Sequence, residues 1–292
     1  MRIAIFGKQF SDNYVGQVTE AIRLLQSNNC ELFVHEKFKA FLLQKKIDLQ
    51  GMQTFNDTSL PIPRTDFITT IGGDGTILET VGYAKIYNTP ILGLNTGRLG
   101  FLSALSISDL QVIKDILFGD QYHFDERTLL QLQTKQNLFG AYNYALNEIA
   151  IHRKDTSSLI TVNAYLNDEL INSYWADGLI VATPTGSTAY SLSCGGPIVS
   201  PTAENIIITP IAPHNLNVRP LVIGNNAKIK LIVEGRDEQF MVTADSRSAT
   251  FSSNEELLIE KANFTIKLVQ PSNQTFYKTI RTKLNWGLDK RN

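Results

Sequence analysis

The run Phe67-Ile68-Thr69-Thr70-Ile71, followed at once by Gly72-Gly73-Asp74-Gly75-Thr76, limits the fold of this chain more than any other segment. Five apolar or β-branched residues read as a buried strand, and Thr76 to Val81 reads as a helix start. Strand, glycine turn and helix are the repeating unit of parallel sheets. Gly72, Gly73 and Gly75 have no Cβ, so their N–H groups can turn toward a ligand without steric cost. The helix start adds a dipole that favours an anion. Asp74 conflicts with a purely phosphate-cradling loop: a carboxylate repels phosphate unless it activates a hydroxyl or helps to hold Mg²⁺. Gly-Gly-Asp-Gly is also ordinary turn vocabulary. Neither G-x-x-x-x-G-K-[ST] nor the third glycine of G-x-G-x-x-G is present, so other segments must decide.

Those segments repeat the pattern. Arg2 to Phe6 reads as a buried strand, and Val15, Val18, Ile22 and Leu25 fall on one helical face. Leu32 to Val34 is a second strand, followed by helical Glu36 to Lys45. Pro90 to Leu94 is a further strand and Ile107 to Leu117 a further helix. Short apolar strands alternating with helices predict a Rossmann-like parallel sheet covered on both faces, in an α/β domain over residues 1–121.

Near Asp120 the periodicity changes from helical to two-residue. Leu130 to Gln133 alternates, as do Ile160, Val162, Ala164 and Leu166 against Thr161, Asn163 and Tyr165. Asn167-Asp168 between two such runs predicts a hairpin turn. Ile229, Leu231 and Val233 alternate as well, and so do Phe264, Ile266 and Leu268. A strand is expected from Tyr142 to Ala150, ended by Asn147-Glu148. The expectation is a mostly antiparallel all-β domain over residues 122–268. A tail over 269–292, with Phe276, Tyr277, Ile280 and Leu284 at near-helical spacing, should pack back on the first domain.

Charge and cysteine content exclude several classes. The 292 residues carry 27 Lys and Arg against 28 Asp and Glu, a net charge of −1, so bulk charge implies no nucleic-acid partner. Cys30 and Cys194 form no disulfide framework or zinc site, and His35, His123, His152 and His214 lack metal-ligand spacing. The apolar run at the N-terminus is too short for a signal-peptide core, and no stretch has the length to span a bilayer. A cytoplasmic protein without a membrane partner is expected.

The richest motif runs from Asp177 to Pro197. A strand, Leu179 to Ala182, delivers Thr183-Pro184-Thr185-Gly186-Ser187-Thr188-Ala189-Tyr190-Ser191-Leu192-Ser193, with a short helix starting near Gly186. Small residues let a flat ligand lie against backbone. Tyr190 offers a ring for stacking, and Asp177 can accept hydrogen bonds from ribose hydroxyls or an exocyclic amine. A Ser/Thr-capped helix packed through its alanine and glycines accounts for the same residues.

Taken together, Gly72 to Thr76, Asn147-Glu148, Asp177-Gly178 and Thr183 to Ser191 resemble the NAD kinases in order and spacing, and Gly93 to Leu102 resembles that family's next block. The likeness runs from the first strand to about Trp286. It implies ATP-dependent phosphorylation of the adenosine-ribose 2′-hydroxyl of NAD to give NADP, with Mg²⁺ or another divalent metal. Asp74 would be the catalytic residue, orienting or deprotonating that hydroxyl, and Gly75 would help to cradle phosphates. Asn147 and Glu148 would hold ribose hydroxyls, and Asp177 would face the nicotinamide end. Thr185, Thr188, Ala189, Tyr190, Ser191, Leu192 and Ser193 would line the dinucleotide site. Ala212 matches a position that can reach a neighbouring subunit's ligand, so a homotetramer or homodimer is implied. The chain departs from the family's pattern at Glu79, where many relatives carry a basic residue, and at Trp175, a position that is often arginine. Trp175 reads as a core residue at a strand end. Ser158 and Arg247 stand where relatives vary. Two alternatives share some of these features: a non-catalytic dinucleotide-binding regulator, which has no use for Asp74, and a lipid kinase, which needs an apolar pocket where Thr185 to Ser193 stand.

Overall fold

A computed structural model describes residues 1–56, 63–103, 105–154, 158–236 and 238–287. The chain divides into two compact units, residues 1–126 with 266–292, and residues 127–265.

The first unit alternates strand and helix: β1 (Arg2–Gly7), α1 (Val15–Ser27), β2 (Glu31–His35), α2 (Glu36–Gln44), β3 (Gln53–Phe55), β4 (Phe67–Ile71), α3 (Asp74–Tyr87), β5 (Ile91–Asn95), β6 (Leu105–Ser106) and α4 (Leu110–Gly119). The strands pair in parallel in the order β3-β2-β1-β4-β5, as expected for short apolar strands buried on both faces. Ile3, Ile5, Leu92 and Leu94 join Val18, Ile22 and Leu25 of α1 and Ile113 and Ile116 of α4 in one core. On the opposite face Phe6 packs on Tyr83 of α3, ring centroids 5.4 Å apart. α4 begins at Leu110, not Ile107, because the Ile107 N–H bonds to the Asn95 carbonyl at 3.0 Å and keeps that residue at the sheet edge.

The second unit is antiparallel. Its strands are the end of β7 (Tyr122–Gln133), β8 (Tyr144–Ala145), β9 (Glu148–Arg153), β10 (Ile160–Leu166), β11 (Glu169–Ala176) and β12 (Gly178–Ala182). After the short helix α5 (Tyr190–Ser193) come β13 (Asn205–Ile211), β14 (Leu221–Gly224), β15 (Ile229–Glu234), β16 (Gln239–Ala244), β17 (Arg247–Ser252) and the start of β18 (Leu257–Pro271). One sheet has the order β14-β13-β12-β9-β16-β17. The other pairs β11, β10, β15 and β18. Ile149, Ile151, Leu179, Val181 and Val242 from the first sheet meet Val162, Ala164, Leu231 and Val233 from the second in a shared core, the two-layer packing that alternating strands produce. Asn167 and Asp168 both have positive φ, 49° and 70°, and turn β10 into β11.

Two further features depart from the sequence reading. The stretch 142–150 is not one strand: a 3₁₀ turn at Gly140–Tyr142 and the short β8 precede β9, so Asn147-Glu148 opens a strand rather than ending one. Trp175 is not a core residue. It is 46% exposed, and its ring lies 4.1 Å from that of His214.

The end of β18 returns to the first unit, where Leu268 pairs in parallel with Ile91 of β5. The last helix, α6 (Phe276–Leu284), is capped by Thr275, whose hydroxyl accepts the Lys278 N–H at 3.2 Å. It buries only Ile280 of the four spaced apolar residues, and Tyr277 is exposed. Residues 288–292 of the tail lie outside the described residues.

Candidate active site

Asp74 is the first residue of α3, two positions earlier than the sequence pattern puts the helix start, so its carboxylate stands at the positive end of the helix. Gly72 before it has φ 154°, and a Cβ there would lie 2.2 Å from Thr76 Oγ1. Only glycine makes that turn. The Asp74 carboxylate is held from the far side by the loop after β5. Oδ2 accepts the Phe101 N–H at 2.7 Å, and Oδ1 accepts the Ser103 N–H at 3.0 Å and the Ser103 hydroxyl at 2.9 Å. Ser103 Oγ in turn accepts Asn95 Nδ2 at 2.9 Å, and both Asn95 and Ser103 are buried. An Asn95–Ser103–Asp74 chain therefore orients the carboxylate, the arrangement by which a third group commonly aims a catalytic base. Gly100 completes the seat by absence of a side chain: a Cβ there would fall 1.6 Å from Asp74 Oδ1. At Gly73 and Gly75 a Cβ would meet nothing within 4 Å, so packing does not demand glycine at either position. Lys8, tethered through its N–H to the Ile71 carbonyl at 3.2 Å, pairs with Glu79 of α3 at 2.7 Å. The acidic residue at 79 is thus matched by a cation from the end of β1.

In the second unit the sequence-predicted residues lie at the start of β9, at both ends of β12 and in the turn and short helix after it. Glu148, Ala150 and His152 of β9 share a face by the two-residue period, opposite Ala182, Ile180 and Gly178 of β12. Ala150, Ile180, Ala182 and Ile207 form a small buried cluster there, against which Cys194 packs. The Tyr190 ring stacks on His152 at 5.8 Å and 20°, and the Tyr190 N–H bonds to the Glu148 carboxyl. Thr183 braces the end of β12: its N–H donates to the Asn147 carbonyl at 2.9 Å and its hydroxyl to the Leu146 carbonyl at 2.6 Å. Thr185 Oγ1 accepts from the buried Arg127 at 3.2 Å. Thr188 Oγ1 donates to the Thr185 carbonyl at 3.2 Å. The Ser191 hydroxyl is fully buried and paired with that of Thr209 at 2.8 Å. Ala189 precedes α5, and Leu192 and Ser193 lie within it. At the other end of β12, Asp177 pairs with Arg153 at 3.1 Å, and its N–H bonds to the Ile211 carbonyl, next to Ala212.

Burial displaces the titrations of this cluster, raising Glu148, Tyr190 and Cys194 and lowering His152. The Glu148 carboxyl is pushed up to about 7, first by desolvation and then by the charge of Asp245, against an opposing hydrogen bond from the Tyr190 N–H. Its Oε2 is buried with no hydrogen-bond partner among the described residues. Burial also lowers the His152 imidazole, which keeps that ring neutral beneath Tyr190.

Residues 3–122 match the family model of the ATP-NAD kinase N-terminal domain, and residues 146–271 match that of the ATP-NAD kinase C-terminal domain. The chain belongs to the NAD kinase family. An NAD kinase of Cytophaga hutchinsonii is 44% identical over 292 residues, and one of Flavobacterium johnsoniae 43% identical over 294, with all of each chain covered. The crystal structure of an NAD kinase from Archaeoglobus fulgidus in complex with ATP is 28% identical, with TM-score 0.72, covering 98% of this chain and 99% of that one. The crystal structure of yeast NADH kinase complexed with NADH shares the fold at TM-score 0.84 and 24% identity, over 99% of this chain and 88% of that one.

Within this NAD kinase fold several supporting residues had no individual signal in the sequence. Ser103 and Asn95 belong to the block after β5 but carry no spacing that links them to Asp74. Asp245 belongs to none of the motifs singled out in the sequence. Arg247 spends its guanidinium on the carbonyls of Tyr142, at 2.6 Å, and Tyr144, so it braces the segment before Asn147.

Proposed function

We propose that the protein transfers the γ-phosphoryl group of ATP to the 2′-hydroxyl of the adenosine ribose of NAD, giving NADP and ADP. The observation that carries this reading is the Asp74 carboxylate, pinned by three donors at the start of α3 beside two glycines whose Cβ positions open onto free space. A turn needing glycine only for its own packing would not leave those two positions open, and a simple binding site has no use for a carboxylate beside phosphates.

In the reaction the ribose O2′–Pγ bond forms as the bond from Pγ to the ADP oxygen breaks, and the hydroxyl proton passes to Asp74. Asp74 orients the hydroxyl in line with Pγ and receives its proton. The N–H groups of the Gly73–Gly75 turn and the α3 dipole face the phosphate charge. Among the described residues no group of three or more His, Cys, Asp or Glu side chains gathers to hold a metal. A divalent cation such as Mg²⁺ would enter on the phosphates of ATP, and Asp74 is the carboxylate of the glycine turn that would help to hold it. When bound, the cation neutralises phosphate charge during transfer.

Asn147 and the unpartnered Glu148 oxygen are assigned to ribose hydroxyls, Tyr190 to stacking, and Asp177 to the nicotinamide end. Ser191 contributes through backbone, its hydroxyl being committed to Thr209. A homo-oligomer is proposed on two supports: Ala212 holds a left-handed φ of 44° beyond β13, and apolar surface is exposed by Leu221 and Val222 on the edge strand β14 and by Leu216 in the segment before it. Purified protein incubated with NAD, ATP and Mg²⁺ should form NADP that a strictly NADP-dependent dehydrogenase detects. Absence of product, or a product phosphorylated elsewhere than the 2′ position, would reject the assignment.

A further inference from the structure

Asp245 has a deeply buried carboxyl that the reaction leaves unused. It occupies the two-residue turn between β16 and β17 with φ 51°, and its side chain is 2% exposed. Three successive backbone N–H groups converge on it: Leu146 on Oδ2 at 2.9 Å, and Asn147 and Glu148 on Oδ1 at 2.8 and 3.3 Å. Its own N–H returns a bond to the Glu148 carbonyl at 3.0 Å. Successive N–H groups around one anion form a nest, here filled by a side chain from about a hundred residues away. Nearby, Arg247 Nη2 stands 3.7 Å from Oδ2.

A buried carboxylate is costly, and apolar residues commonly fill such positions with equal or better stability. Its retention calls for a task, and its hydrogen bonds define one. They explain why 142–150 is not a continuous strand: the N–H groups of 146–148 point to Asp245 rather than along a ladder. They also aim the two side chains that follow, leaving Asn147 half-buried and Glu148 Oε2 buried without a partner.

We propose that Asp245 is a positioning residue for the dinucleotide site, its carboxylate gathering the 146–148 N–H groups so that the Asn147 and Glu148 side chains present their polar atoms to the ribose. This rests on the reading that those two residues bind NAD. Asp245 acts through them and needs no contact with substrate. Its charge has a second effect on the same pair. Glu148 faces Asp245 across the turn, Tyr190 from α5 and Cys194 beyond it, with Arg247 behind Asp245. Burial first, then Asp245, keeps the proton on Glu148 to about pH 7, so the acid can donate as well as accept toward a ribose oxygen.

The test is Asp245→Asn in the full chain, with Glu148→Gln and the double variant beside it. Asparagine keeps the shape but removes the charge and turns an NH₂ toward one of the three N–H donors. The KM for NAD should rise about tenfold or more, the loss expected from a hydrogen bond to a charged group. The KM for ATP and kcat at saturating NAD should change less than about threefold. The Glu148 carboxyl, followed by ¹³C NMR in the protein alone, should titrate at lower pH in the variant. In the double variant the two losses should fall short of additive. A folded Asp245→Asn protein with unchanged KM for NAD, an unmoved Glu148 titration, or equal losses toward both substrates would overturn the proposal. Wild-type protein that makes no NADP would instead reject the kinase reading, and the NMR titration would still decide whether Asp245 governs Glu148.

Discussion

Gly100→Ala should disable the enzyme without replacing any group that reacts, by displacing the Asp74 carboxylate. An ideal Cβ at Gly100 lies 1.6 Å from Asp74 Oδ1, 2.2 Å from Cγ and 2.4 Å from Oδ2. Ordinary contact is about 3.5 Å, so the carboxylate must withdraw by roughly 2 Å or the 100–103 loop must move by as much. Either shift breaks the bonds from Phe101 N, Ser103 N and Ser103 Oγ, now 2.7 to 3.0 Å long. Each is a hydrogen bond to a charged acceptor, worth about 1.5–3 kcal/mol in place. Asp74 is only half-buried, so water recovers much of this when the carboxylate swings out. The net stability loss should match ordinary overpacking, about 1–3 kcal/mol. Catalysis has no such compensation. A displacement of about 1 Å can cost 10²-fold, and a positioned base is worth about 10²–10⁴-fold. We expect kcat to fall by roughly 10²–10³-fold, with KM for NAD nearly unchanged because Asn147, Glu148 and Tyr190 are untouched. A coupled assay of NADP formation, read beside a thermal melt, measures both. A folded Gly100→Ala protein with kcat within about threefold of wild type would show that the Asp74 seat does not govern turnover.

Three further outcomes follow from the same geometry. Asp74→Asn should lower kcat by roughly two or more orders of magnitude while NAD binding by calorimetry survives; near-normal turnover would end its catalytic assignment. Ser103→Ala, which cuts the chain from Asn95, should reduce kcat about tenfold with KM values retained, and Ser103→Thr should restore it; equal effects of the two would mean that the hydroxyl is not the link. Glu148 sets a pH effect on stability. Its carboxyl is raised to about 7 from 4.5, so between those values the folded chain holds a proton that the unfolded chain has lost. Stability is therefore full below about pH 4.5 and falls as pH rises through 7. Glu148→Gln, a neutral stand-in for the acid, should be more stable than wild type at pH 8 by roughly 3 kcal/mol. Chemical denaturation showing the same difference at pH 8 as at pH 5 would contradict the assignment.

Much of the fold was legible because its signals are local. β4, the glycine turn and α3 are consecutive, and the two-residue hairpin at Asn167-Asp168 needs only residues that tolerate positive φ. The strand alternation of β10 and β15 also needed no knowledge of distant partners. The expected strand over 142–150 failed for the opposite reason: Asp245, some hundred residues away, captures its N–H groups. Trp175 failed because burial was read from residue type, whereas its neighbour is His214 on a separate segment.

The same division runs through the site. The sequence alone determined the residue types that phosphoryl transfer needs, Asp74 among glycines and a small-residue turn after β12, since adjacent residues share one short piece of backbone. Tertiary structure decided what those residues can do. Asp74 becomes a fixed carboxylate only when Phe101 and Ser103 close on it, and Glu148 keeps its proton only when the fold buries it and sets the charge of Asp245 beside it. Hydrogen-bond direction and desolvation depend on what surrounds an atom in space, and chain order does not encode those surroundings locally.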